Sequence, residues 1–237
     1  DMNKYLDSGN EARIKKAYES RDPRLQMAVI TPYAQYNGAS SGIAHTYTLR
    51  WPYRGSDSAE PFDIRTDTND KFYYLWRKFV PEGLEQTERD TYGLDIPLIR
   101  YAEVLLLKAE ALNEWGSTHE SEAIRCVNEV RRRAGHVELN NATYPATKVN
   151  GQSDLRERIR NEYYWEIGGE DSMYFHELRW GTWKDKKFDN NRNGLMQMWG
   201  ETTYTWYWLG DQCWSWPIPA KEMEMNSNLE QNEGWIN

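Results

Sequence analysis

Between Pro97 and Ala134 the chain repeats apolar residues at helical spacing twice, with one glycine between the two runs. Leu98, Ala102, Leu105, Ala109 and Leu112 follow one another at steps of 4, 3, 4 and 3. Those steps return a side chain to the same face of an α-helix, and Leu106 widens the stripe. Gly116 supplies a stop and Ser117 a cap for the next helix. Over residues 119–134, Ala123, Val127, Val130 and Ala134 form a second stripe, which Gly135 ends. The pattern predicts two antiparallel helices joined by a tight turn, similar to a single tetratricopeptide unit rather than an array. Tyr101 and Trp115 are expected to help close it.

Weaker signals surround this hairpin. Residues 10–20 read as a short charged helix that Arg21-Asp22-Pro23 ends, because the residue before proline avoids the α region. Val29–Thr31, Thr46–Leu49 and Phe72–Val80 read as short strands in otherwise irregular sequence. A third helix is expected over 154–167, with Ser153-Asp154 as its cap, Asp154 and Glu157 at capping-box spacing, and Gly168-Gly169 as its end. A fourth covers 172–180, and 181–237 reads as irregular. No domain boundary stands out. The fold class is therefore mainly α: a tetratricopeptide-like hairpin plus further helices, with long irregular loops and short strands.

Composition narrows the function. Asp plus Glu number 37 against 29 Lys plus Arg, a net charge of −8. That balance argues against nucleic acid, whose binding rests on cationic phosphate contacts, and against anionic membrane surfaces. Mean hydropathy is −0.92, yet 12 Trp, 16 Tyr and 5 Phe set the chain apart from disordered sequences. The longest uncharged stretch, Leu25 to Leu49, is too rich in Gln, Asn, Ser and Thr to span a bilayer. Asp1-Met2-Asn3-Lys4 carries no signal-peptide pattern. Cys126 and Cys213 are too few for a disulfide framework and read as free thiols, Cys126 in a helical core.

Catalytic signals are weak. Glu103 and Glu110 lie seven residues apart, about 10.5 Å along a helix. A retaining glycosidase pair needs about 5–5.5 Å and an inverting pair roughly 6.5–9.5 Å. The two acids read instead as ion-pair partners of Arg100, Arg131 and Arg133. His45, His119, His136 and His176 have no second ligand at metal spacing, and no dinucleotide, phosphate-loop or nucleophile-elbow motif occurs. No catalytic residue, metal or cofactor is nominated. Asp189 to Gly194 resembles the start of a calcium loop, but Gly200 stands where the closing Glu belongs, so a solvated turn is the better reading.

The aromatic residues carry the strongest functional signal. Tyr33, Tyr36, Tyr47, Trp51 and Tyr53 cluster with Arg50 and Arg54. Trp199, Tyr204, Trp206, Tyr207, Trp208, Trp214 and Trp216 form a second group. Flat rings with a polar edge suit sugars, whose C–H faces stack while their hydroxyls bond to polar side chains. Such rings also pack cores and anchor loops.

Several motifs together resemble the SusD/RagB family of glycan-binding outer-membrane lipoproteins. They are Arg21-Asp22-Pro23-Arg24-Leu25, then Ile99-Arg100-Tyr101-Ala102-Glu103-Val104-Leu105-Leu106 with Ala109-Glu110-Ala111, then Asn128, Val130, Arg131, Arg133, Ala134 and Gly135. Pro217-Ile218-Pro219, Glu222, Asn226, Asn228-Leu229 and Gln231-Asn232-Glu233-Gly234-Trp235 follow in the family's order. Glu170, Arg179, Trp180 and Gly181 also fit, whereas Asp171, Met173 and His176 stand where Gly, Arg and Asp are common.

The resemblance implies that residues 1–237 are the C-terminal portion of a SusD-like domain, without the N-terminal tetratricopeptide-like half and the lipidation site. It implies non-catalytic capture of oligosaccharides or polysaccharides at the surface of the outer membrane, for delivery to a TonB-dependent transporter. A helical protein-interaction module and a glycoside hydrolase remain as alternatives. Because residues 199–216 run into the family's Pro217-Ile218-Pro219, their indoles are expected to pin the tail. Residues 33–54, flanked by Gly, Ser and Pro, are expected to hold the ligand through Tyr47, Arg50, Trp51, Tyr53 and Arg54.

Overall fold

A computed structural model describes residues 16–19, 21–31, 33–40, 43–50, 63–65, 75–83, 93, 95–170, 172–187 and 208–235. The chain divides into two units, residues 2–173 and 174–237.

The first unit is organised by the two apolar stripes. Helices α3 (Tyr101–Trp115) and α4 (Glu120–Arg133) are joined through Gly116 and a 3-10 turn, Ser117–His119. Leu105, Leu106, Ala109 and Leu112 of α3 are buried with Ala123, Cys126, Val127 and Val130 of α4. Helix α5 (Gln152–Ile167) packs against both and buries Leu155, Ile159, Tyr163 and Ile167, four residues apart. Tyr101 donates to Glu129 across the hairpin and Trp115 stacks on His119 at 4.4 Å, while both side chains stay largely exposed rather than packing against a neighbouring helix.

Three helix starts differ from expectation. Helix α3 begins at Tyr101, not Pro97, and Leu98 is 90% exposed. Arg100 is extended (φ −111°, ψ 152°) because its guanidinium is held by Glu166 and Glu170. Ser117 opens the 3-10 turn rather than capping α4, whose cap position is His119. The capping box of α5 does not form: Gly151 is its cap residue, Asp154 accepts from the Asn150 N–H and from Arg158, and Glu157 pairs with Arg160.

The segment read as irregular holds more structure than its composition indicates. Residues 16–19 are helical, the described part of α1. Asp22 then starts a new helix, α2 (Pro23–Ala28), by accepting from the Arg24 N–H with Pro23 at the first position. Strand β1 (Val29–Ile30) pairs antiparallel with β5 (Leu75–Trp76), so the expected Phe72–Val80 strand reduces to two described residues. Strands β2 (Gln35–Ser40) and β3 (Ile43–Arg50) form a hairpin, longer than the expected 46–49, and β4 (Asp63–Arg65) adds in parallel to β3. At the end of α5, Gly169 has φ +82° and the Trp76 ring lies 2.7 Å from where its Cβ would stand, so only glycine fits.

In the second unit the chain continues from α6 (Ser172–Arg179) into α7 (Trp183–Lys187), a 3-10 turn at Asp211–Trp214 and α8 (Ala220–Met225). Helix α6 agrees with the helix expected over 172–180, whereas α7, the turn at Asp211–Trp214, α8 and the division near residue 173 were not legible in the sequence. Cys126 is buried, Cys213 is half-buried, and both are free thiols.

Candidate functional site

Of the residues nominated for ligand contact, Tyr47 is the one whose side chain is described. It is half-buried on β3, directly across from Tyr36 on β2, with ring centroids 6.4 Å apart. His45, two residues earlier on the same face, meets Tyr47 edge-on at 6.2 Å. Tyr36 is 5% exposed and donates its hydroxyl to the Pro81 carbonyl at 2.8 Å, so it anchors the hairpin. Arg50 is placed by its backbone, paired with Arg65 of β4. Trp51, Tyr53 and Arg54 lie outside the described residues, as do Asp189 to Gly194 and Trp199, Tyr204, Trp206 and Tyr207.

Of the described tail aromatics, Trp208 and Trp214 pack on one another, whereas Trp216 is 76% exposed. Trp208 and Trp214 lie 5.1 Å apart and both face Trp183 of α7, at 5.7 and 6.5 Å. Lys184 sits over the Trp208 ring and pairs with Asp211, which also accepts from the Trp208 indole. Gln231 bonds both backbone groups of Ile218, Asn232 donates to the Trp216 carbonyl, and Trp235 donates to Gln212 and Ser215. These bonds fix the Pro217-Ile218-Pro219 strip to the tail.

The densest chemistry of the first unit is a buried ion network that sequence reasoning missed. Glu162, Glu166 and Glu170 are spaced by four along α5 and its continuation. Arg24 reaches Asp22 at 2.6 Å, Glu162 at 2.7 Å and Glu166 at 3.1 Å. Arg131 meets Glu162 at 2.8 Å, and Arg133 pairs with Glu166. Arg100 holds Glu166 and Glu170, and Lys78 holds Glu170 at 2.6 Å. The arginines expected to face Glu103 and Glu110 thus form their ion pairs with α5. The available signal was acids at four-residue spacing beside Ile159, Tyr163 and Ile167, a helix face that is otherwise apolar.

The network tunes its own titration. Burial disfavours the Arg24 and Asp22 charges, yet the bonds between them outweigh it, holding Arg24 above and Asp22 below their ordinary values. Burial likewise opposes the Glu170 charge, but Arg100 and Lys78 keep its carboxyl below the usual range. Burial pushes His136, 3.5 Å from Asp22, below the ordinary histidine value.

A cleft of about 240 Å³ opens over this network, lined by Arg24, Lys78, Arg100, Arg133, Trp165 and Glu166 among others. Its cations do not make it an anion site. Lys78 directs its three protons to the Glu166 carbonyl, the Gly168 carbonyl and Glu170. Arg100 makes four bonds to Glu166 and Glu170, and the Arg24 guanidinium four to Asp22, Glu162 and Glu166. Donors committed inside the protein hold elements together. Among the described residues no three His, Cys, Asp or Glu side chains gather as a metal site requires, and no helix is long and apolar enough to cross a membrane.

Compared with known families, the chain matches the SusD family over residues 3–235. It is 32% identical over 139 residues to the SusD-like protein P38 of Formosa agariphila, which covers 58% of this chain and 24% of that protein. It is 28% identical over 161 residues to the starch-binding protein SusD of Bacteroides thetaiotaomicron, covering 68% of this chain and 25% of the relative. Among solved structures, a SusD homolog from Bacteroides thetaiotaomicron superposes with a TM-score of 0.60 at 22% identity, over 95% of this chain and 43% of the other. The fold is thus shared, and the chain matches about a quarter of the length of these curated relatives.

Proposed function

The chain belongs to the SusD family, and from that membership we propose that it serves non-catalytic capture of glycans at the outer-membrane surface for delivery to a TonB-dependent transporter. The observation that carries the reading is the ordered family match across residues 3–235. One matched relative is named for binding starch. We read residues 1–237 as the C-terminal portion of such a protein. The exposure of Ile96, Leu98, Ile99, Tyr101, Val104 and Trp115 on and before α3 supports a further helical layer packing there.

Ligand contact is assigned to Tyr47, Arg50, Trp51, Tyr53 and Arg54, with rings stacking on sugar faces and guanidiniums bonding hydroxyls. Tyr47 supports this: it is half-buried beside a neighbour that already anchors the hairpin. Affinity electrophoresis against plant and host glycans tests the reading. Retardation without release of reducing ends is expected. Release that disappears in Glu103→Gln or Glu110→Gln would make the protein a hydrolase, and retardation by no glycan would refute capture.

A further inference from the structure

A second cleft, of about 340 Å³, lies where α1, α2, β2 and the segment after β5 meet, and Tyr18, Gln26, Thr31, Tyr33, Gln35 and Arg77 line it with others. Its most unusual member is Tyr33. The residue sits in a turn closed by the Ala34 N–H donating to the Thr31 carbonyl at 2.9 Å, and its own N–H donates to Leu49 at 2.6 Å. There its φ is +64°. Glycine or asparagine takes that conformation readily, and a bulky aromatic takes it only under strain. From that strained position the residue lines the wall of the cleft.

The charge inventory of the cleft decides its ligand. Arg77 lines it, but its guanidinium donates to the Gln26 and Gln35 carbonyls and pairs with Glu82 at 2.9 Å. The remaining charged group on the lining is Glu19, an acid on a protein of net charge −8. Beside Arg77 the lining is therefore two tyrosines, two glutamines, Thr31, Ala34 and Glu19, with the Gln26 amide also donating to the Tyr18 carbonyl at 3.5 Å. That set offers stacking surfaces with neutral donors and acceptors, and it repels anions.

We propose that this cleft is a subsite for a neutral glycan, with Tyr33 and Tyr18 against sugar faces and Gln26 and Gln35 bonding hydroxyls. It rests on the glycan-capture reading and deepens it. The Tyr33 N–H bond to Leu49 sets the cleft beside β3, the strand that leads in sequence to Trp51.

The test is affinity electrophoresis of the wild-type protein, Tyr33→Gly and Gln26→Ala in gels of neutral polysaccharides (starch, xyloglucan, mannan) and of acidic polygalacturonate, with melting followed in parallel. Glycine relieves the backbone at Tyr33, so that variant is expected to melt no lower than wild type while binding a neutral glycan about tenfold more weakly. Gln26→Ala is expected to weaken the same glycan several-fold, and polygalacturonate is expected not to retard the protein. A neutral glycan bound equally by wild type and both variants overturns the subsite and leaves glycan capture standing. Binding of polygalacturonate alone overturns the neutral class. Retardation by none of these overturns the subsite, and failure against the wider panel overturns capture with it.

Discussion

Replacing Glu162 by Gln should be among the costliest single substitutions in the first unit. The side chain is fully buried and accepts from two guanidiniums, Arg24 at 2.7 Å and Arg131 at 2.8 Å, whose side chains are 10% and 5% exposed. The amide keeps the volume but removes the charge that compensates them. Breaking a buried pair from one side costs about 3–5 kcal/mol. Arg24 retains Asp22 and Glu166, which places the expected loss near the lower end, whereas among the described residues Arg131 keeps a bond to the Val137 carbonyl and no second carboxylate. At roughly 2–4 °C per kcal/mol for a unit of this size, melting should fall by about 6–20 °C. Glu138→Gln is the internal control. Its pair with Arg132 is also 2.8 Å, but the side chains are 65% and 37% exposed, so at most about 1 kcal/mol is at stake. Urea unfolding of both variants, followed by tryptophan fluorescence and circular dichroism, gives the comparison. If Glu162→Gln cost no more than Glu138→Gln, the buried network would not be what ties α2 and α4 to α5.

Leu105→Ala, at a buried position of the α3 stripe, should cost about 2–5 kcal/mol in the same assay, and an unchanged midpoint would show the face misread. Gly169→Ala should cost about 1–3 kcal/mol, because its φ is +82° and the Trp76 ring occupies the space of a methyl group; a neutral outcome would deny that contact. Stability should fall in two stages as pH is lowered. His136 is held below its ordinary value, so the unfolded chain takes up its proton first and stability declines from about pH 6.5 downward. Asp22 and Glu170 are also held low, so their contribution is present above about pH 4 and is lost as pH falls through their folded values. Chemical denaturation at stepped pH reads both, and stability that rises on acidification would reverse the assignment. Trp51→Ala should weaken glycan binding about tenfold with melting unchanged, by analogy with base stacking on aromatic residues; a large loss of stability instead would move Trp51 to the core.

The helical hairpin was legible because its signal is local. Spacings of three and four between apolar residues report one helix face, and nothing distant alters that face at Leu105, Ala109 or Val127. Helix starts were less legible, because they are set by tertiary partners: Arg100 stays extended while Glu166 and Glu170 hold it, 66 and 70 residues away. The same distance hid the ion network. Arg100, Arg131 and Arg133 are matched in the sequence reading with Glu103 and Glu110, whereas their partners lie on α5 and just after it. Four-residue spacing marks the acids Glu162, Glu166 and Glu170 but not which distant cations they meet. The β2–β3 hairpin was half-legible, since Thr46 to Leu49 has strand composition, whereas its pairing with the Gly- and Asn-containing Gln35 to Ser40 depends on tertiary register. For the nominated ligand residues the sequence indicates ring chemistry but not burial, and the Tyr36 hydroxyl bond that anchors the hairpin beside Tyr47 joins residues 45 apart in sequence.

The residues that make the family recognisable have a physical reason to say little about its ligand. Arg24, Arg100, Arg131 and Arg133 come from three separated motifs, and Glu170 from a fourth. In the folded chain they meet in one network whose buried donors are bonded to protein acceptors. A guanidinium already bonded to two carboxylates has little left to offer a sugar, and exchanging it would destabilise the unit rather than change specificity. Ligand choice must therefore rest on residues outside these motifs, on surfaces the network supports. The β2–β3 region meets that condition: Leu49 and Tyr36 are its buried anchors, while the half-buried Tyr47 on the same face, Tyr33 and the sequence leading to Trp51 carry further rings. Such an arrangement lets the aromatic surface vary from one member to another without cost to the helices beneath. It predicts that substitutions at Tyr33 or Tyr47 will move glycan preference and spare folding, while substitutions at Glu162 or Arg131 will do the reverse.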